Sequence, residues 1–300
     1  MRPGQTNALD MNTARENMQL RQAIGKLDVL PAMPVIAQKL LALKLDTEEG
    51  KRALLALIEE DPQISAKMLG LANSAATAAS RNITTVRDAA LLLGFKRIQS
   101  VATGIAVLSM MTQKRTGKLN MQDLWLHSLG IAYAMLSIAR CMPENLRPSD
   151  DQIFLAGLLH DIGYLALAVL DPECSDRLHG RIAAEPQCPS LEIELEIAGL
   201  SHDELGAELG RHWGLPEEFI AALRHHHRPG ACGTAGSPLA RMIYIAEKLL
   251  HSTGFEKLST EAATAEDWGA LGIPPARARE AAALAEEQAE QAMQFAVAFS

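Results

Sequence analysis

Residues His160 and Asp161 stand side by side after the apolar run Ile153-Phe154-Leu155-Ala156-Gly157-Leu158-Leu159, and Ile162-Gly163 follow them. The pair reads as part of an otherwise buried helix, so an imidazole and a carboxylate are carried into the interior together. Such groups persist there only when paired, hydrogen-bonded or bound to a metal. The fold must therefore supply partners. Further histidines lie on either side: His127 before the pair, then His202 and the run His225-His226-His227. Nitrogen and oxygen donors of this kind suit first-row divalent metals. Two readings stand, convergence on an ion or a hydrogen-bonded core pair that joins helices.

Apolar residues recur at helical spacing along almost the whole chain, with no convincing run of alternating β-branched residues, which predicts an all-α fold. With 300 residues, 48% of them hydrophobic, the chain can bury a sizeable core in one large or two smaller domains. Residues 11–26 are predicted as a first helix, and Pro31 and Pro34 then interrupt the pattern. A second helix takes Val35, Ile36, Leu40, Leu41 and Leu43 as its apolar positions. Asp61-Pro62 places an N-cap acceptor before a proline in the first helical position, and Asn73-Ser74 is read as the stop of that helix. Thr85-x-x-Asp88 resembles a capping box and opens a helix carrying Ala89, Leu92 and Leu93 that Gly94 ends. Residues 96–111 form another helix, and a polar linker over 112–120 separates this N-terminal bundle from the histidine-bearing segment. Pro216 belongs in the first turn of the helix that ends in the three histidines. The tail from Pro274-Pro275 onward forms a final helix that docks on the body or on a partner.

Charge and cysteines narrow the class. A formal net charge of -8 does not favour nucleic acid as a partner. Cys141, Cys174, Cys188 and Cys232 contain no C-x-x-C pair and read as free thiols of a reducing compartment, so a cytoplasmic location is expected. No apolar run approaches the roughly 20 residues of a membrane span, and the first twelve residues lack the apolar core of a secretory signal.

A series of short motifs carries a family resemblance: Leu30-Pro31-x-x-Pro34, Asp61-Pro62, Leu71-Ala72-Asn73-Ser74, Ala89-x-x-x-Leu93-Gly94, Leu124-Trp125-x-His127-Ser128, Gly157-Leu158-Leu159-His160-Asp161-Ile162-Gly163, His202, Trp213-x-Leu215-Pro216 and His226-His227-x-Pro229. In this order they resemble the HDOD domain, a relative of the HD and HD-GYP metal-dependent phosphohydrolases. The resemblance implies a multi-helix HD-like bundle with an N-terminal helical subdomain. Residues 28–229 would form the domain, with 28–111 as N-terminal bundle and 121–229 as HD-like half. Residues 1–27 would be a helical extension and 230–300 a C-terminal helical segment.

The same resemblance implies a ligand set of His127, His160, Asp161, His202 and one of His226 or His227, with His226 taken here. Glu247 stands where an Asp often closes the HD site, and Tyr164 where the HD-GYP pattern has a lysine. Both departures weigh against efficient phosphodiesterase chemistry. The expected function is that of a non-catalytic bacterial signalling or regulatory module that binds another signalling protein or a small ligand. The alternative is a divalent-metal phosphohydrolase, and a third option keeps the ion as a structural element only. Iron, manganese, zinc and magnesium all remain candidates for that ion. Taken singly, His127 reads as a core histidine, His202 as a residue hydrogen-bonding at a helix N-terminus, and His225 to His227 as a helix C-terminus with at least one ring facing solvent. Trp125 and Trp213 read as core anchors, and Lys96, Arg97 and Arg81 as a solvated face.

Overall fold

The structure, a computed structural model, describes residues 30–75, 83–112, 117–232, 238–250 and 262–298. The helix predicted over residues 11–26, and Arg81, lie outside the described residues. Helices fill the rest, and no strand occurs among the described residues, in agreement with the all-α expectation.

Capping chemistry fixes where several helices begin. After α1 (Val35–Ala42), the Thr47 hydroxyl accepts from Gly50 N–H and opens α2 (Glu48–Glu59). Asp61 Oδ1 accepts from the N–H groups of Gln63 and Ile64 at 2.9 and 3.1 Å and opens α3 (Pro62–Ala75). Two otherwise orphaned helix donors are thereby satisfied. Thr85 caps α4 (Val86–Leu93) by accepting from Asp88 N–H. In the return half of the box the Asp88 carboxylate accepts from the Thr85 hydroxyl at 2.8 Å. Gly94, at φ 89°, ends α4, and the chain bends by 119° into α5 (Phe95–Thr112).

Several local expectations change in this half. Asn73 does not stop α3, which continues to Ala75; its amide donates to Leu69 O and Ile83 O and accepts from Ile83 N–H at 2.7 Å. It pins the chain ten residues on. In α1 the core stripe is Ala37 and Leu40, while Val35 is 67% exposed and Leu41 39% exposed. A two-turn helix that packs mainly on α5 can bury only one narrow stripe, and each step of 100° takes its neighbours out of it. For the same reason Leu92 lies outside on α4. Lys96 is exposed, as a solvated face requires, but Arg97 is part-buried and pairs with Asp150 at 2.8 Å, so it ties α5 to the start of the helix at Asp150.

The centre of the molecule is α6 (Met121–Ala139), capped by Asn120 and buried on nearly every side from Leu124 to Ala139. A helix that is apolar all round belongs inside. α7 (Asp150–Leu159) crosses it so closely that a Cβ on Gly157 would lie 2.6 Å from Ala132 Cα. The last helix, α15 (Pro275–Ala298), also docks on the body: it packs along α6 and against α3. Ala281, Ala285, Ala289 and Ala292 form the buried stripe that lets it approach.

The stretch Asp150–Leu170 is longer and more apolar than any run expected from the sequence, with mean hydropathy 2.0 over its most apolar window. That window is 89% buried within the protein, as a core element is. His160 and Asp161 do not lie within one helix. They break the stretch into α7 and α8 (Ile162–Leu170), with Asp161 at φ -98°, ψ 16° as the residue between. This bridge-region backbone redirects the chain. α9 (Pro172–Ala184) and α10 (Ser190–Ile197) pack beside α8, followed by α11 (His202–His212) and α12 (Glu217–His225). Pro216 is the N-cap of α12, one position before the expected first-turn place. α13 (Pro238–Leu249) and the short α14 (Ala265–Ala270) precede the final helix. No disulfide joins the four cysteines.

Candidate metal centre

Six sequence-predicted residues arrive at one point from five helices. α6 carries His127, α7 runs into His160, Asp161 sits at the α7–α8 break, α11 begins with His202, α12 leads into His226, and α13 brings Glu247. All are buried, with side chains 4% exposed or less. His227, left as an alternative to His226, converges too, whereas His225 stays half-buried outside the converging groups. Both His226 and His227 therefore belong to the cluster.

Asp161 stands between two groups of donors. Its Oδ2 lies 3.1 Å from His160 Nε2 and 3.4 Å from His127 Nε2, and its Oδ1 lies 3.3 Å from His202 Nε2 and 3.8 Å from His226 Nε2. Glu247 Oε1 is 3.6 Å from His160 Nε2 and 3.9 Å from His226 Nε2, and its Oε2 is 3.5 Å from His227 Nδ1. None of these four carboxylate oxygens has a hydrogen-bond partner. Buried acceptors in that state are costly.

The imidazoles explain why. His160 Nδ1 lies 2.8 Å from Gly157 O and His226 Nδ1 2.8 Å from Leu223 O; a carbonyl only accepts, so each Nδ1 carries the proton. His202 Nδ1 lies 2.9 and 3.0 Å from the two Glu194 oxygens, which fixes the same tautomer. In the neutral rings all three Nε2 atoms are then lone-pair donors aimed inward. His202 and His226 bring theirs within 3.2 Å of each other. His127 Nε2 lies 3.2 Å from His160 Nε2 and His227 Nε2 lies 2.9 Å from His202 Nε2, and this convergence of ring nitrogens and carboxylate oxygens has the donor chemistry of a cation site. The groups His127–His160–Asp161, Asp161–His226–Glu247 and His202–His226–His227 each hold their donor atoms within 4.8 Å of one another.

Charge states follow the same pattern. Burial pushes the His127 imidazole down to about 4 and, with His227 beside it, holds His226 well below its ordinary value. Burial alone would raise Asp161 and Glu247. His160 and His202 instead hold Asp161 well below the usual carboxylate range, and His227 and His226 bring Glu247 to about 2. Burial also opposes a charge on His160, but Asp161 outweighs it and raises that ring. The site is thus two carboxylates among mostly neutral imidazoles, a donor set suited to a divalent metal.

Sequence reasoning missed Glu194, and saw in Tyr164 only the absence of a lysine. Glu194, buried on α10, accepts from His202 N–H at 2.7 Å as well as from its ring. Tyr164 donates to Glu194 Oε1 at 2.6 Å and stacks on His202, ring centroids 4.2 Å apart. Its hydroxyl faces a carboxylate in the core, not a substrate cavity. The acid-rich pattern Leu191-Glu192-Ile193-Glu194-Leu195-Glu196-Ile197 gave no sign that one acid of three turns inward.

A cleft of about 600 Å³ lies at the opposite ends of three of these helices, lined by Met33, Leu41, Gln99, Leu155, Trp213 and Phe219 among others. Trp213 Nε1 donates to Pro31 O at 2.8 Å and ties the N-terminal stretch to this wall. The charged lining residues are Asp151 and Glu218, both acidic.

This architecture, an all-helical bundle around a His/Asp/Glu cluster, is of the HD kind. Residues 30–229 match the HDOD domain model, 200 of 300 residues, and the chain belongs to the HDOD family. Glu247 and α13 lie beyond the matched span. An uncharacterized protein of Treponema pallidum is 26% identical over 208 residues, which is 67% of this chain but 38% of that protein's length. A Marinobacter aquaeolei structure, provisionally named a signal transduction protein, has TM-score 0.75 and 25% identity over 96% of this chain and 66% of its own. A Geobacter sulfurreducens HDOD domain protein of unknown function shares the fold, with TM-score 0.74 and 23% identity over 95% and 97% of the two chains. So does a Shewanella amazonensis protein provisionally named a phosphohydrolase, with TM-score 0.66 and 22% identity over 94% and 98%.

Proposed function

We propose that this protein is a regulatory HDOD module that acts by binding and not by turnover, with a divalent metal held in the buried cluster as an internal tie between helices. The closure of that cluster carries the reading: every candidate ligand side chain is 4% exposed or less. Structural metal sites are closed, whereas catalytic ones keep a position open for water or substrate. A bound metal would supply the positive charge that the inward lone pairs and orphaned carboxylates lack. Ligands drawn from His127, His160, Asp161, His202, His226, His227 and Glu247, in one or two of the three groups, would hold it. The nitrogen-rich donor set favours iron, manganese or zinc over magnesium, which prefers oxygen.

Binding is assigned to the cleft between the N-terminal bundle and the HD-like half. Its apolar walls and acidic pair, Asp151 and Glu218, suit a segment of another signalling protein that presents an apolar face with a lysine or arginine at its edge. The deciding experiment measures metal content and phosphoester turnover of the parent and of Asp161→Ala. Stoichiometric metal in the parent, none in the variant and no multiple turnover in either is the expected result. Multiple-turnover hydrolysis of nucleotides or cyclic dinucleotides that Asp161→Ala abolishes would replace this reading with the metal phosphohydrolase that the retained ligand set also favours.

A further inference from the structure

The three imidazoles whose tautomer is fixed are not held alike. His160 and His226 each lean on one neutral carbonyl, Gly157 O and Leu223 O. His202 has a buried carboxylate behind it, since Glu194 takes both its ring Nδ1–H and its backbone N–H. Tyr164 completes the arrangement from a third side, with its hydroxyl on Glu194 and its ring stacked on His202 at 18° between planes.

The chain segment that delivers Tyr164 is built for this contact. Asp161 enters the cluster, and two residues later Gly163 lies against the His202 backbone, where a Cβ would meet His202 O at 2.0 Å. Only a residue without a side chain lets α8 come this near α11. Tyr164 then falls directly over the His202 ring. A neutral phenol at this position orients Glu194 while leaving its charge for His202. A lysine there would pair with Glu194 and draw that charge away.

Resting on the reading of the cluster as a metal site, the geometry points to Tyr164 and Glu194 as a positioning pair that fixes His202 and makes it the strongest imidazole donor of the cluster. A carboxylate behind a ligating imidazole raises its basicity and holds its orientation, and loss of such a partner typically costs roughly 10- to 100-fold in metal affinity.

The test uses the full chain stripped of metal by chelator, titrated with Mn²⁺ and, separately, Zn²⁺, alongside Glu194→Gln and Tyr164→Phe. Glu194→Gln is expected to weaken binding at least about tenfold and Tyr164→Phe about threefold. The metal-free melting temperature of Tyr164→Phe is expected to fall by about 3–6 °C, the effect of one lost hydrogen bond to a buried carboxylate with the stacked ring kept. Nitrogen NMR of the metal-free parent should show His202 protonated at Nδ1, with a mixture of tautomers in Glu194→Gln. Should Glu194→Gln fail to fold, Tyr164→Phe decides alone. Unchanged affinities in variants of a metal-binding parent would overturn the positioning pair and leave the metal reading standing. A melting temperature that falls while affinity holds would reduce both residues to packing. A parent that binds neither metal would overturn the metal reading, and this inference with it.

Discussion

The histidine cluster and the cleft are the two ends of the same three helices. α7 starts at the cleft with Asp151, Gln152 and Leu155 and runs into His160; α12 starts there with Glu218 and Phe219 and runs into His226; α11 runs the other way, from His202 to Trp213. Ten residues of α7 span about 15 Å. One end is polar and closed; the other is apolar and open. Burial, not residue chemistry alone, separates a site that holds an ion from one that meets a partner.

Glycine substitutions break the contrast most severely. Gly163→Ala puts its Cβ 2.0 Å from the His202 carbonyl oxygen, with no flexible side chain to yield. A loss on the order of 4 kcal/mol is expected in urea unfolding. Gly214 turns the chain at the cleft with φ 68° and open space around it, so Gly214→Ala should cost only about 1 kcal/mol. Equal losses at the two positions would show that the two ends are packed alike.

Asp161→Ala comes next. Metal-saturated parent should gain about 3 kcal/mol over metal-free parent at a 100-fold excess over Kd. The variant should gain nothing, which differential calorimetry with and without Mn²⁺ will show. A metal-dependent rise retained in the variant would exclude Asp161 as a ligand.

Acid separates the ends in a third way. Burial holds His127 and His179 at about 4 in the folded chain, so between about 6.5 and 4 the unfolded chain binds more protons and folding stability falls as pH falls. Each group contributes on the order of 3 kcal/mol at full effect. His226 shifts in the same direction. His160 opposes them, since its raised value adds stability below 6.5 that is lost as pH rises. Burial lowers His225 as well, so four histidines against one leave a net loss on acidification. Metal-free protein unfolded in urea at pH 7.5, 5.5 and 4.5 should show it, and a flat profile would mean that the histidines are not buried neutral.

The His160-Asp161 pair was legible by itself, because an imidazole and a carboxylate inside an apolar run need partners. His127, His202, His226 and Glu247 were placed beside it only by the family resemblance, and the fold carries all four to the pair. Glu194 was hidden by its surroundings. In the alternating stretch 191–197 the hydropathy has a period of two, yet the chain is helical there, so the helix buries Ser190, Ile193 and Glu194 and turns Leu195 out, 50% exposed. His202, eight residues on, and Tyr164, thirty residues back, decide that choice across a turn and a helix-helix contact. The contact that Tyr164 makes was not legible, because the break at Asp161 that aims it into the core leaves no mark in an apolar run. The exposed faces of α1 and α4 were missed because apolar identity does not tell which stripe a short helix buries.

At the cleft, a synthetic amphipathic peptide with leucine on one face and lysine at its edge is the probe. Leu41→Glu should weaken its binding about tenfold, or about 1.4 kcal/mol, because the new charge would enter the apolar wall. Leu195→Glu, a substitution on α10, which does not line the cleft, should leave it unchanged. Equal tightening in both would identify nonspecific attraction of a cationic peptide to an acidic chain.

The smallest expected effect joins the two ends. If α7, α11 and α12 are tied at the cluster by a bound ion, their far ends are held in register at the cleft, and the peptide should bind the metal-loaded protein more tightly than the stripped one. Helices move as stiff bodies, but the cleft also has walls from α1 and α5 that the cluster does not touch, so the gain should be modest, about fivefold or less. Linkage requires the peptide to tighten metal binding by the same factor. Fluorescence titration of the peptide with and without saturating Mn²⁺, paired with metal titration with and without peptide, measures both sides of that cycle. Equal affinities throughout would make the cleft and the cluster independent features that happen to share three helices, and the metal would then hold the fold without tuning what the fold binds.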